Sequence, residues 1–138
     1  VKTKALLPPT RLSSLAAVAA GGALGVMARY AFLVLFPTTP GRFPWTIFAE
    51  NLVGAFLLGF VLMLLTRLWR ADGKLGLFVG TGVLGSFTTF SNYSLDVVKL
   101  AQGGWLGLAL LYASLSLVLG MAAALAGVWL GQQAARAR

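Results

Sequence analysis

Histidine and cysteine are absent from this sequence, and acidic residues nearly so. Without cysteine there is no disulfide and no thiolate metal site, so the redox compartment leaves no mark. Without histidine, the side chain best suited to moving protons at neutral pH is missing. Carboxylates are confined to Glu50, Asp72 and Asp96, which leaves acid–base catalysis almost nothing to work with; the chain reads as a non-enzyme. Charge of either sign is scarce too. Of 138 residues 10% are charged and 59% hydrophobic, with a mean hydropathy of +0.87. A domain this small has too little interior to bury so much apolar surface in water.

What is present is arranged in blocks. The apolar residues form long runs, separated by short polar stretches, and predict four membrane spans at 12–36, 45–66, 75–100 and 105–130. A basic lead, 1–11, precedes this four-span domain of 12–131, and a basic tail, 132–138, follows it. Lys2, Lys4 and Arg11 before the run ending in Ala17-Val18-Ala19 mimic a cleavable signal peptide, but the run continues to Phe36, long enough to span. The Pro/Gly turn from Pro37 to Pro44, the basic stretch from Arg67 to Lys74, and Gln102-Gly103-Gly104 are the separators. Trp45, Trp69 and Trp105 fall at span ends, where indoles favour the interface.

The net charge of +8 sits mostly beside the apolar blocks, which points to lipid head groups and not to nucleic acid. Lys2, Lys4, Arg11, Arg67, Arg70, Lys74, Arg136 and Arg138 lie on the side of the termini, against Arg42 and Lys99 on the other. That bias predicts cytoplasmic termini. Gly21/Gly25, Gly76/Gly80 and Gly127/Gly131 have the spacing of close helix contact.

The chemistry lies in the polar groups inside the spans. Gly85-Ser-Phe-Thr-Thr-Phe-Ser-Asn-Tyr-Ser94 packs five hydroxyl or amide side chains into the third span (Thr88, Thr89, Ser91, Asn92, Ser94). Such groups are costly in lipid unless they are used, or bond back to their own helix. Phe87, Phe90 and Tyr93 recur at steps of three, one strip of an ideal helix. Asn51 aligns with Ala55 and Gly59, a face suited to a narrow path or a close helix, while Glu50 points about 100° away and is expected near the interface, paired there with a basic residue or alone. Tyr112, Ser116 and Gly120 share a stripe that serves either as interhelical glue or as a pore lining. Arg29 must snorkel, find a partner or face water.

Asn51, Ser91, Asn92, Tyr112 and Ser116 all donate hydrogen bonds, and no carboxylate is expected at mid-depth. That inventory favours a small inorganic anion over a cation. Phe90 and Tyr93 add electropositive ring edges. Gly85 is expected to break the third span, exposing carbonyls before it and amides after it, ends that hold ions of opposite sign.

Gly25-Val-Met-Ala-Arg29, Asn51-Leu-Val-Gly54 and Thr88-Thr-Phe-Ser-Asn-Tyr-Ser-Leu-Asp96 occur in order, followed by Tyr112 and Ser116. In these motifs the chain resembles the Fluc/CrcB fluoride ion channels, across all four spans. The resemblance implies an all-α membrane protein of four transmembrane helices, the third broken near mid-membrane, assembled as an antiparallel dual-topology dimer in the plasma (inner) membrane. It implies two passive, fluoride-selective pores lined by Asn51, Phe90, Tyr93, Tyr112 and Ser116, with Ser91 and Asn92 alongside and Arg29 at a vestibule. It also implies a structural sodium ion at the dimer axis, held by main-chain carbonyls of Gly85 and Thr88. Asp96 stands where the family often has an acid. Tyr93 replaces the family's second phenylalanine and Asn92 its threonine. The charge bias of eight against two is strong for a chain that inserts both ways, which leaves a homodimer or a pairing with a homologue of opposite bias.

Two other classes fit the outline. A small multidrug-type cation exporter also has four short spans, but it needs a membrane-embedded carboxylate for proton exchange. A non-transporting membrane assembly partner would use the polar strip for packing alone.

Overall fold

A computed structural model describes residues 9–68 and 73–136. Lys2, Lys4, Trp69, Arg70, Asp72 and Arg138 lie outside these, and so do four of the ten charges behind the predicted orientation. The described residues are helical apart from short connections. Helix α1 covers Pro9–Leu35 and α2 Trp45–Leu68. The third arm, α3, is built of three contiguous pieces, Gly73–Gly76, a π-helical stretch Leu77–Leu84, and a last turn Gly85–Phe87. Helix α4 covers Phe90–Gln102 and α5 Leu106–Arg136. Among the described residues, three segments are long and apolar enough to cross a membrane: Arg11–Leu35, Trp45–Thr66 and Leu106–Arg136.

Glycine decides which helices meet. A Cβ on Gly21 would strike the Phe78 carbonyl, and one on Gly25 the Val83 carbonyl. On the other side of the molecule Gly59 faces Ala124, Gly127 faces Phe56, and Gly131 faces Phe60 and Met63. In both sets the partner numbers rise together, so α1 runs parallel to α3 and α2 parallel to α5. The spacings at Gly21/Gly25 and Gly127/Gly131 therefore mark close contacts, as their sequence suggests. Gly76/Gly80 do not form such a pair. Gly76 has open space around it and Gly80 meets only the flexible end of Leu62.

Replacing Gly127 with alanine would push a methyl into backbone, which cannot swing aside, so α2 and α5 must separate. The expected cost is about 1 kcal/mol, at the low end for overpacking. It should appear as a lowered melting temperature of the purified protein, while Gly107→Ala, with nothing near its Cβ, stays unchanged.

The turns hold the opposite end together. Gly41 (φ 73) and Gly104 (φ 85) adopt left-handed conformations that glycine takes without strain. A Cβ on Gly41 would also lie 2.7 Å from the Trp105 indole, which packs flat over the loop. The Thr46 hydroxyl ties the start of α2 to the Phe36 carbonyl. Below this seal lies the small core of Phe48, Leu100, Ala109 and Tyr112, with Phe43 edge-on to Tyr112 at 5.3 Å. Most large apolar side chains point outward instead, among them Met27, Tyr30, Val118 and Met121. An exterior this apolar suits lipid and not water.

Candidate functional site

The signature Thr88-Thr89 is where α3 gives way to α4. Gly85, expected to make the break, is helical (φ −65, ψ −28) and donates its amide to the Gly80 carbonyl. The chain leaves helical geometry three residues later, with Thr88 at φ −73, ψ 153 and Thr89 at φ −145, ψ 118. The cause is a side chain on another helix. Asn51 Nδ2 donates to the Thr89 carbonyl at 3.0 Å, and the Thr89 amide donates to Asn51 Oδ1 at 2.8 Å. The amide of Asn51 thus pairs with extended backbone as a neighbouring strand would. Gly54, one turn further along α2, leaves the room that the Thr88 methyl occupies.

Both threonines then cap the ends that the break exposes. Thr88 Oγ1 returns to the Leu84 carbonyl at 3.0 Å. Thr89 Oγ1 accepts the Asn92 amide at 3.2 Å as the N-cap of α4, and lies 3.1 Å from the Ser91 hydroxyl. Neither capping role was read from the sequence, although threonine at the head of a helical run is a usable signal.

These bonds leave two carbonyls without their helical partners. In an uninterrupted helix the Thr89 amide would serve Gly85 and the Asn92 amide would serve Thr88. Both amides are diverted to side-chain oxygens. The main-chain oxygens at Gly85 and Thr88 are thus relieved of helical bonding, and neutral carbonyl oxygen is the donor type that sodium takes. The residues present fit such an ion.

Beside the break lies a cavity of about 500 Å³, open along one side. Its wall includes Asn51, Ala55, Thr88, Thr89, Phe90, Tyr93, Ser116 and Gly120. Four of the residues singled out from the sequence, Asn51, Phe90, Tyr93 and Ser116, therefore come together from α2, α4 and α5. Phe90 is 76% exposed, its ring tilted against Tyr93 at 5.5 Å between centroids. The Tyr93 hydroxyl turns away to the Ala113 carbonyl at 3.4 Å, so the extra oxygen relative to phenylalanine is spent on α5.

Tyr112 is fully buried, 5.5 Å from Tyr93 ring to ring. Its hydroxyl and that of Ser116 lie one turn apart on α5, close enough to act on each other, and neither has a partner elsewhere on the protein. Ser116 is on the cavity wall and Tyr112 is not. Two buried hydroxyls with no partner beyond one another keep at least one O–H free to donate.

The remaining candidates fall elsewhere. Ser91 is exposed and engaged with Thr89; Asn92 is half-buried and not part of the cavity wall. Phe87 does not continue a strip with Phe90 and Tyr93, because the break lies between them; it meets Phe32 of α1 at 6.4 Å. Ser94 returns to its own helix at the Phe90 carbonyl. Asp96 lies on a second, smaller cavity of about 210 Å³ with Thr39, Arg42, Lys99 and Trp105. Glu50, expected near the interface, is fully buried within the protein, with no hydrogen-bond partner on either carboxylate oxygen. Arg29 is half-buried on α1.

Comparison with known proteins gives a consistent result. Residues 16–128 match the model of a family described as CrcB-like protein, Camphor Resistance (CrcB). The chain is 41% identical over 132 residues to the fluoride-specific ion channel FluC 2 of Nocardia farcinica, covering 96% of this chain and 91% of that one. It is 46% identical over 120 residues to a fluoride-specific ion channel FluC of Agrobacterium fabrum, covering 86% and 96%. A similarly named protein of Thermus thermophilus is 45% identical over 115 residues, covering 83% and 91%.

Proposed function

Because the chain belongs to the CrcB family, we propose that it is a fluoride-selective ion channel of the plasma membrane, a multi-pass protein that exports cytoplasmic fluoride by passive electrodiffusion. It is a channel and not an enzyme. The observation that carries this reading is the cavity walled by Asn51, Phe90, Tyr93 and Ser116, with the buried Tyr112 hydroxyl one turn from Ser116.

Each group has a part in moving the anion. Asn51 spends one N–H on the Thr89 carbonyl and keeps a second, since a primary amide has two. Ser116 and Tyr112 supply O–H donors along one stripe of α5. A hydrogen bond to a charged acceptor contributes about 1.5–3 kcal/mol, so a few in series offset much of the lost hydration. Phe90 presents a weakly positive edge, which attracts an anion without holding it. The absence of a full positive charge along this line favours release, which conduction requires. Ser91 and Asn92 belong to the capped start of α4 and support the break.

Four crossings are supported by the parallel pairing of α2 with α5, because the chain between them has to return across the bilayer. The return segment is α3 and α4 together, interrupted at Thr88–Thr89 near mid-membrane. An antiparallel, dual-topology dimer with two pores is supported by the open side of the cavity and by the exposed Phe90, which a second copy would enclose. The released carbonyls of Gly85 and Thr88 would hold a sodium ion at the dimer axis, where it supplies fixed positive charge between the copies. The charge bias leaves both a homodimer and a pairing with an oppositely biased homologue open to a sidedness assay on tagged termini.

Gly85→Ala separates these contacts from folding of the single chain. A Cβ there would lie 3.5 Å from the Gly80 carbonyl, an ordinary contact, so the protomer tolerates it. If Gly85 faces a second copy, the substitution lowers the dimer fraction in a dilution series in detergent, while helical content stays constant.

Lipid vesicles loaded with fluoride test the function itself. Vesicles carrying the purified chain should release fluoride and retain chloride; retention of fluoride equal to that of empty vesicles would end the proposal. Proton-coupled efflux of an organic cation would instead favour the multidrug-type exporter.

A further inference from the structure

The second cavity, about 210 Å³ beside the loop between α1 and α2, has no part in the pathway above. In a chain with eleven basic and three acidic residues, it collects Arg42, Lys99 and Asp96 on its wall. Arg42 and Lys99 are the two basic residues assigned to this side of the spans, and both converge on the same cavity. Orientation alone would be served by charges anywhere on the rim. Asp96 Oδ2 is buried there without a hydrogen-bond partner. Lys99 follows one turn later on α4, yet its ammonium does not close on that oxygen. A buried carboxylate oxygen left bare is costly and calls for a donor.

The walls are held in place from both sides. The Arg42 amide donates to the Thr39 carbonyl at 3.2 Å, with Pro40 and Gly41 (φ 73) in the two central positions that a type II turn gives them. Trp105 joins this turn to the end of α4. A Cβ on Gly41 of the loop, or on Gly103 where the chain leaves α4, would strike the Trp105 ring. The Gly103 amide donates to the Lys99 carbonyl at 2.9 Å, and the Trp105 amide to the Leu100 carbonyl at 2.9 Å. The backbone at Arg42 and at Lys99 is thus fixed before any ligand arrives, while both side chains stay exposed.

Depth identifies the surroundings. At 1.5 Å per residue Lys99 stands about 15 Å along α4 from Thr89, half the thickness of a hydrocarbon core. A break at mid-membrane therefore puts this cavity among the lipid head groups, where the exposed indoles of Trp45 and Trp105 also belong. What that layer offers to two cations and a carboxylate is a zwitterion. A phosphodiester has two free oxygens, one edge for the guanidinium fork and one for the ammonium of Lys99. A primary ammonium brings three N–H donors to Asp96, whereas a choline nitrogen, fully methylated, brings none. A glycerol head group has no cation, and a serine head group adds a carboxylate that Asp96 repels.

We propose that this cavity binds the head group of an aminophospholipid of the ethanolamine type, with the phosphate on Arg42 and Lys99 and the ammonium on Asp96. Bound there, the lipid ties the loop before α2 to the end of α4. The proposal goes beyond ion conduction and rests only on the place of the chain in a membrane. Free O-phosphoethanolamine carries the same two charges, so the test separates the lipid from the soluble compound.

The purified full chain is reconstituted in vesicles of equal ethanolamine, choline and glycerol phospholipids with the same acyl chains, then extracted in mild detergent, and the lipid it retains is counted by mass spectrometry. The ethanolamine lipid should be enriched about threefold or more over the other two, as expected for a charge-assisted bond partly screened by water. Asp96→Asn should bring the ethanolamine and choline lipids level. The double variant Arg42→Gln, Lys99→Gln should lose the enrichment, and because both side chains are exposed its fold is not at stake. No enrichment in the wild type, or an enrichment that survives in the double variant, would overturn the proposal whether or not Asp96→Asn folds. In a second arm, lysophosphatidylethanolamine and free O-phosphoethanolamine are titrated against melting temperature in detergent. A rise with the lysolipid alone supports the lipid as occupant; an equal rise with the free compound overturns it.

Discussion

Asn51→Asp should abolish fluoride flux, lowering it about a hundredfold or more. The aspartate keeps the oxygen that receives the Thr89 amide but loses the N–H that donates to the Thr89 carbonyl at 3.0 Å. It turns a carboxylate oxygen toward that carbonyl and also removes the second N–H, the donor proposed for the anion. Leaving a buried acceptor unpaired costs about 1–3 kcal/mol, and a charge beside it raises the figure. About 3 kcal/mol of added barrier corresponds to roughly a hundredfold in rate. The measurement is efflux from reconstituted vesicles, with melting temperature recorded in parallel because the same pair fixes the break. Flux within a few-fold of wild type would show that Asn51 neither forms the break nor meets the ion.

Phe90→Ile should reduce flux severalfold, up to about tenfold, while leaving the fold intact. The ring is 76% exposed in the single chain and contributes little to its packing, so melting should barely move. Isoleucine retains bulk and apolarity but lacks the positive ring edge. An edge contact contributes about 0.5–1.5 kcal/mol, and the upper value corresponds to about tenfold in rate. Phe90→Tyr, which preserves the edge, should conduct more than the isoleucine variant. Equal flux in all three would assign Phe90 to spacing alone, and the selectivity would then rest on Asn51, Tyr112 and Ser116.

The two predictions differ in what the sequence made visible. Phe90 stands out by itself, because an aromatic ring among hydroxyls within an apolar run has few structural uses. Asn51 stands out as an amide in a span, but its pairing with Thr89 does not, since the two are 38 residues apart. The same limit explains the position of the break. Glycine is the residue that local rules nominate, yet Gly85 stays helical because nothing pulls on it. Thr88 and Thr89 extend because α2 brings an amide and the vacancy at Gly54 against them. Glu50 shows the same limit: its place near the start of α2 suggests an interface, while its complete burial depends on what other helices bring against it.

By itself the sequence determined the solvent, the helical class and the kind of chemistry. Long apolar blocks allow no other home than lipid, and lipid forces every backbone group into internal hydrogen bonds, which helices satisfy one residue at a time. An inventory of neutral donors with almost no acids already disfavours a cation path. Tertiary structure alone decided which donors remain free. Whether an amide or hydroxyl is spent on backbone or kept for an ion depends on what the neighbouring helix brings against it. That is a matter of contacts between distant residues, set here by glycine pairs that fix how close the helices come.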